Sequence, residues 1–113
     1  MDLFIQYKKE RAGQDCIATY KGFIFYKIEF PNALIADWFV APEYRKNGYG
    51  YFLADQCFEI FKDAGVKDVF CTTDMNAVNW KIAENAILNF GFKWFKREGS
   101  LNHYQMGVDE WAV

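Results

Sequence analysis

From Leu3 to Val40 the hydrophobic positions come in short blocks separated by turn formers, a pattern of strands rather than of helices. Leu3-Phe4-Ile5-Gln6-Tyr7 is the first block, and Ala12-Gly13-Gln14-Asp15 is a turn signal. Cys16–Tyr20 and Phe23–Phe30 flank Lys21-Gly22, a step that suggests a hairpin. Pro31-Asn32 turns again. Leu34–Val40 is almost continuously apolar, as expected of a central strand covered on both faces.

The period then lengthens. Between Gly50 and Ala64 the apolar residues Leu53, Cys57, Ile60, Phe61 and Ala64 fall at helical spacing, with Gly65 placed to cap the end. Val66–Thr73 reads as a strand. A second helix is predicted from Asn79 to Asn89, with Ala83, Ala86, Ile87 and Phe90 on one side and Gly91 after it. Phe92–Arg97 alternates like a strand, Gly99-Ser100 turns, and His103–Val108 closes the series. The order β-β-β-β-α-β-α-β-β predicts an α/β domain (α+β, mixed sheet) over residues 1–113, with two main helices.

Composition narrows the function classes. At 52% hydrophobic and 25% charged residues the chain can bury a core. A net charge of -2 argues against a nucleic-acid clamp. No apolar run approaches the roughly 20 residues that span a bilayer, and Met1–Lys9 has no secretory pattern. Cys16, Cys57 and Cys71 fit neither a CxxC pair nor a zinc ribbon, so reduced thiols in the cytoplasm and no metal are expected. Aromatic residues make up 20% of the chain, enough to fill a small core or to form a partner-binding surface. Lys93-Trp94-Phe95-Lys96-Arg97 mixes bases and aromatics, which suits an acidic partner or single-stranded nucleic acid. An alternating strand with its aromatics turned inward is the simpler expectation, and Val108–Val113 is expected to fray.

One stretch carries chemistry: Val40-Ala41-Pro42-Glu43-Tyr44-Arg45-Lys46-Asn47-Gly48-Tyr49-Gly50, between the central strand and the first predicted helix. A glycine-containing loop that opens a helix presents unpaired N–H groups and the positive end of the helix dipole, and so suits an anion. Gly48 and Gly50 let a phosphate approach the backbone, and Arg45 and Lys46 add charge. The loop is neither a Walker A motif nor G-x-G-x-x-G.

Here the chain resembles the GNAT superfamily of acetyl-CoA-dependent N-acetyltransferases. The R/Q-x-x-G-x-G/A signature is met by Arg45-Lys46-Asn47-Gly48-Tyr49-Gly50 after Val40-Ala41-Pro42, and Gly91-Phe92 matches the family's helix-ending pair. The resemblance covers about residues 16–108. It implies a mostly antiparallel sheet of about six or seven strands with a splayed central pair. It also implies that the amides of Asn47, Gly48, Tyr49 and Gly50, with Arg45 and Lys46, cradle the pyrophosphate of acetyl-CoA as co-substrate. The backbones of Phe39 and Val40 would pair with the pantetheine arm opposite Val69–Thr73, with Asn79 on its far side. The Val40 amide would stabilise the developing oxyanion.

Two departures stand beside the match. Few residues precede the predicted hairpin, so the acceptor site is expected to be open or completed by a second copy of the chain. The family's usual tyrosine acid is replaced by Ile87, which leaves Tyr104 or His103 as donors, an unprotonated thiolate, or a domain without catalysis. For the base, Asp37 in its apolar run is expected to be buried with a raised pKa. Glu29 comes next, then the sole histidine, His103. Cys71 is either an acyl carrier or core filler. The reading is therefore an N-acetyltransferase acting on a primary amine, a protein lysine, an N-terminus or a small amine. The rivals are a GNAT-like binding or structural module and a nucleotide-phosphate binder.

Overall fold

In β6 (Leu101–Gly107) Asn102, Tyr104 and Met106 are buried and the residues between them are not, the period-2 signature of a strand with one covered face. β4 (Asp68–Asp74) alternates in the same way, and β1 (Asp15–Thr19), β2 (Gly22–Glu29), β3 (Asn32–Val40) and β5 (Lys93–Glu98) are the other strands. A computed structural model describes residues 2–111, and in it these six strands form one sheet in the order β1-β2-β3-β4-β6-β5. All neighbours are antiparallel except β3 and β4. The helices are α1 (Asp2–Ala12), α2 (Tyr49–Asp63), α3 (Trp80–Phe90) and α4 (Val108–Trp111). None of the described helices is long and apolar enough to cross a membrane.

One face of the sheet holds the core. Leu53, Cys57, Phe58 and Phe61 of α2 and Ile87 of α3 pack on Ile24, Tyr26, Ile35, Val69, Tyr104 and Met106. Phe58 sits at the centre, fully buried, with the rings of Phe61, Phe90, Phe92 and Trp111 at 5.6, 5.2, 5.9 and 5.8 Å. Much of the aromatic content is thus core filling, and each large side chain buried this way stabilises the fold by about 1.5–3 kcal/mol. β2 and β3 approach so closely at Gly22 that a Cβ there would stand 2.4 Å from the Phe39 carbonyl oxygen.

Four expectations need correction. Leu3–Tyr7 is not a strand but part of the 11-residue helix α1. The polar run Lys8-Lys9-Glu10-Arg11 continues it, Gln6 bonds Glu10 one turn on (3.3 Å), and Phe4 packs edge-on against Phe25 at 5.6 Å. β3 is not covered on both faces. On the α1 side Leu34 and Phe39 remain 40% and 44% exposed, because α1 lies over β1 and β2 and touches β3 through the Lys8–Asp37 pair. β5 is an edge strand exposed along its whole length, so Trp94 and Phe95 do not turn into the core. Finally, Val108–Trp111 forms a short helix held by Trp111 Nε1 donating to Asp55 (2.8 Å). The rest of the segment expected to fray, residues 112 and 113, lies outside the described residues.

Candidate active site

β3 and β4 pair only at Asn32/Asp68, Ala33/Val69 and Leu34/Phe70. Beyond that they part, and the cause lies on the other side of β3. Phe25 opposes Asp37 while Tyr26 opposes Ile35, so Ala36 is an extra residue, a β-bulge. A bulge bends its strand and increases the local twist, which carries the Ile35–Val40 half of β3 away from β4. The splayed pair implied by the resemblance is therefore present.

The ladders fix which main-chain groups face the gap. Ala41 donates to the Lys21 carbonyl (2.8 Å), which makes Phe39/Phe23 a bonded pair and turns the N–H and C=O of Trp38 and Val40 toward β4. Met75 donates to Ser100 (2.8 Å), so by the same alternation Thr72 and Asp74 face the gap from β4. The expectation for Phe39 is corrected, since its main chain is taken up by Phe23; the main-chain groups on the gap side are those of Trp38 and Val40. Alternation counted back from Val40 would have found Trp38 in the sequence. Allowing one residue for the bulge, Trp38 stands across the gap from Thr73, and Val40 lies nearer the mouth.

The loop opens at that mouth. A 3-10 turn at Pro42–Tyr44 follows β3, and Lys46 and Gly48 take left-handed backbone, φ 67° and 78°. The first helical bond of α2 is made by Phe52 to the Gly48 carbonyl (3.0 Å). Among the described residues no protein group accepts from the N–H groups of Lys46 to Tyr51. A Cβ on Gly48 would meet nothing within 4 Å, so the space before these amides is open. Lys46 and Asn47 are exposed. Tyr49 is half-buried, its hydroxyl bonded to Thr19 and its ring 5.4 Å from Phe52. Trp38 Nε1 donates to the Gly50 carbonyl (3.0 Å), tying the start of α2 to β3. Arg45 Nε donates to the Val40 carbonyl (2.8 Å), and its guanidinium lies 5.3 Å from the Phe39 ring centre. Arg45 therefore locks the loop to β3 through Nε, and among the described residues no hydrogen bond or ion pair engages its terminal nitrogens.

α3 spans the gap on the core face. At its C-terminal end Phe90 packs edge-on against Trp38 (6.1 Å). Nearer its start Glu84 accepts from the Tyr104 hydroxyl, which shares a hydrogen bond with Thr73 (2.9 Å). Burial and the Glu84 carboxylate push the Tyr104 hydroxyl up to about 12. Asn79 is the exposed N-cap of α3, in left-handed backbone and with no side-chain hydrogen bond to the helix. Ile87 is buried in the core and offers no proton.

Asp37 is not buried. The bulge sets it on the α1-bearing face, with its side chain 51% exposed and 3.7 Å from Lys8 Nζ. Glu29 is exposed beside Lys27. His103 lies on the same face as Asp37, beside Phe95; its Nε2 is 3.0 Å from Glu98 but lacks hydrogen-bond alignment. The Cys71 thiol is pushed up by burial, which suits core filler and not a nucleophile.

The sequence profile of the acetyltransferase (GNAT) family matches residues 3–84. No curated protein sequence matches the chain. Among solved structures, the chain is similar to the PaiA N-acetyltransferase of Thermoplasma acidophilum in complex with coenzyme A. Identity is 20% and the TM-score 0.76, over 93% of this chain and 69% of that one. It is also similar to a GNAT acetyltransferase of Staphylococcus aureus (18%, TM-score 0.71, 92% and 73% covered). An acetyltransferase of Thermus thermophilus gives 16% and a TM-score of 0.71, with 93% and 71% covered. At such identities the likeness establishes the fold; the profile match, which spans most of the sequence, establishes the lineage. The chain belongs to the GNAT acetyltransferase family, and the chemistry of its domain is acyl transfer.

Proposed function

We propose that the chain transfers an acetyl group from acetyl-CoA to a primary amine by direct attack within a ternary complex. One observation carries this reading: unengaged amides at the start of α2 open onto a gap faced by main-chain groups that no strand pairs, the N–H and C=O of Trp38 and Thr72 and the N–H groups of Val40 and Asp74, whose carbonyls accept from Arg45 and Ala77. A diphosphate with an extended amide-bearing arm needs both, an anion cradle and a strand-like slot. Acetyl-CoA supplies the acyl group activated as a thioester. The amides of Asn47, Gly48, Tyr49 and Gly50, with Arg45 and Lys46, hold its phosphates. Trp38 and Val40 on one wall and Thr72 and Asp74 on the other bond the arm, with Asn79 beside it.

Val40 adjoins the loop, so an arm of several bonds' length carries the thioester past it. The Trp38 N–H is then the donor nearest the developing negative charge on the thioester oxygen. The acceptor enters from the α1-bearing face, where no helix crosses the gap. Asp37, on that rim, takes the proton of the arriving ammonium. The acceptor is an amine of a protein lysine, an N-terminus or a small molecule.

Calorimetric titration of acetyl-CoA tests the reading. Wild type should bind saturably, with a dissociation constant on the order of micromolar, and Arg45→Ala and Gly48→Trp should bind more weakly, the latter by filling the open space before the loop. Competition by CoA but not by ATP is expected. Absence of saturable binding in wild type would favour a binding module, which the exposed Leu34 and Phe39 on the open face would also suit.

A further inference from the structure

Three polar side chains from three elements meet at the β4 wall of the gap: Glu84 from α3, Tyr104 from β6 and Thr73 from β4. Tyr104 is fully buried and Thr73 is 5% exposed, so this is an interior cluster, and such groups are costly to bury unless each is paired. Counted on from Leu34/Phe70 with one residue allowed for the bulge, Thr73 falls opposite Trp38, whose N–H faces the gap from β3. The tyrosine hydroxyl, raised to about 12, keeps its proton and acts as a donor. Tyr104 occupies Oε2 of Glu84, and among the described residues no hydrogen bond or ion pair engages Oε1. The groups around the cluster are few. Tyr104 faces it from β6, Thr73 and Cys71 from β4; on α3 itself the Lys81 ammonium is turned to the Trp80 ring, 5.7 Å away.

We propose that Glu84 is the proton carrier of the transfer step, moving a proton from the attacking nitrogen to the departing sulfur, and that Tyr104 and Thr73 are positioning residues that hold its carboxylate at the gap. The inference rests on the acetyl-CoA reading above. As the nitrogen–carbon bond forms and the carbon–sulfur bond breaks, nitrogen and sulfur share one carbon, so a single carboxylate oxygen can serve both. Asp37 has already relieved the ammonium of one proton and returns it to solvent. Glu84 takes the next proton from nitrogen, gives it to the sulfur, and ends unprotonated as it began. The products are an amide and a thiol.

The test has two arms on the full chain. First, CoA is titrated and a crystal structure of the CoA complex is solved. The CoA sulfur is expected within hydrogen-bonding distance of Glu84. A sulfur separated from Glu84 by another side chain, or on the far face beside Asp37, overturns the inference while leaving CoA binding intact. No binding at all overturns the acetyl-CoA reading itself.

Second, with a primary amine that wild type acetylates, Glu84→Gln should lower kcat about 100-fold or more. KM and CoA affinity should stay within about twofold, and Glu84→Asp should restore part of the loss. Tyr104→Phe, which keeps the ring packing, should lower kcat about tenfold and displace the pH profile of kcat. A Glu84→Gln enzyme that folds, binds CoA and retains kcat within threefold of wild type overturns the role.

Discussion

The two halves of the β3–β4 pair do opposite work with the same kind of strand. From Asn32 to Leu34 the main chain of β3 is bonded to Asp68–Phe70, and Ala33 and Val69 are sealed in the core. From Ile35 to Val40 its only strand partner is β2, and of the groups that would have met β4 the Val40 carbonyl accepts from Arg45 while the others have no strand partner. Backbone polar groups seldom stay unpaired in native folds, so a strand that leaves several facing a gap marks where a ligand substitutes for a neighbour. The paired half holds the sheet together; the parted half is where the proposed acetyl-CoA arm would lie.

The two halves can be perturbed separately by mutation. Phe58→Ala removes the centre of the core that supports both halves and should cost about 3–5 kcal/mol in urea unfolding, while whatever folds should bind CoA normally. Deletion of Ala36 should make β3 regular and let it close on β4. Calorimetry should then show CoA affinity lowered about 100-fold, equivalent to about 2.8 kcal/mol, with the thermal midpoint kept or raised. Intact CoA binding in that variant would separate the gap from the function.

The cluster on the parted half has its own pH signature. The Tyr104 hydroxyl is raised to about 12 from an ordinary 10. The folded chain therefore holds a proton that the unfolded chain has released between those values. Stability from this group is complete below pH 10 and falls as pH rises toward 12, by on the order of 2 kcal/mol. Tyr104→Phe should flatten that part of a stability-versus-pH curve. The smallest effect belongs to the exposed Lys8–Asp37 pair. Lys8→Ala should change stability by less than about 1 kcal/mol, and acetylation rates should move only through Asp37.

What was legible depended on how local its cause was. The loop was readable because Arg45, Gly48 and Gly50 act through the backbone of their own segment at a strand-to-helix junction. α2 was readable because Leu53, Cys57 and Phe61 repeat along one helix face. Leu3–Tyr7 was not, because a five-residue apolar run fits a strand or one side of a helix equally well, and only Phe25 and Asp37 across the sheet select the helix. The exposure of Asp37 was hidden because it depends on the bulge at Ala36, a property of two strands in register. Glu84 gave no signal: it is a polar residue of an amphipathic helix until β6 brings Tyr104 beneath it.

The family, the position of the glycine loop at a strand-to-helix junction and the order of most elements are written in the sequence, because these follow from residue types and spacings along one short stretch at a time. Three features arise from long-range pairing: β3 leaves β4 after Leu34, the main chain of Trp38 and not of Phe39 faces the gap, and Glu84, Tyr104 and Thr73 share one hydrogen-bonded cluster. The physical reason is that register, bulges and the meeting of distant side chains are set by the pairing of whole strands and the burial of whole faces, energies to which no local segment has access alone.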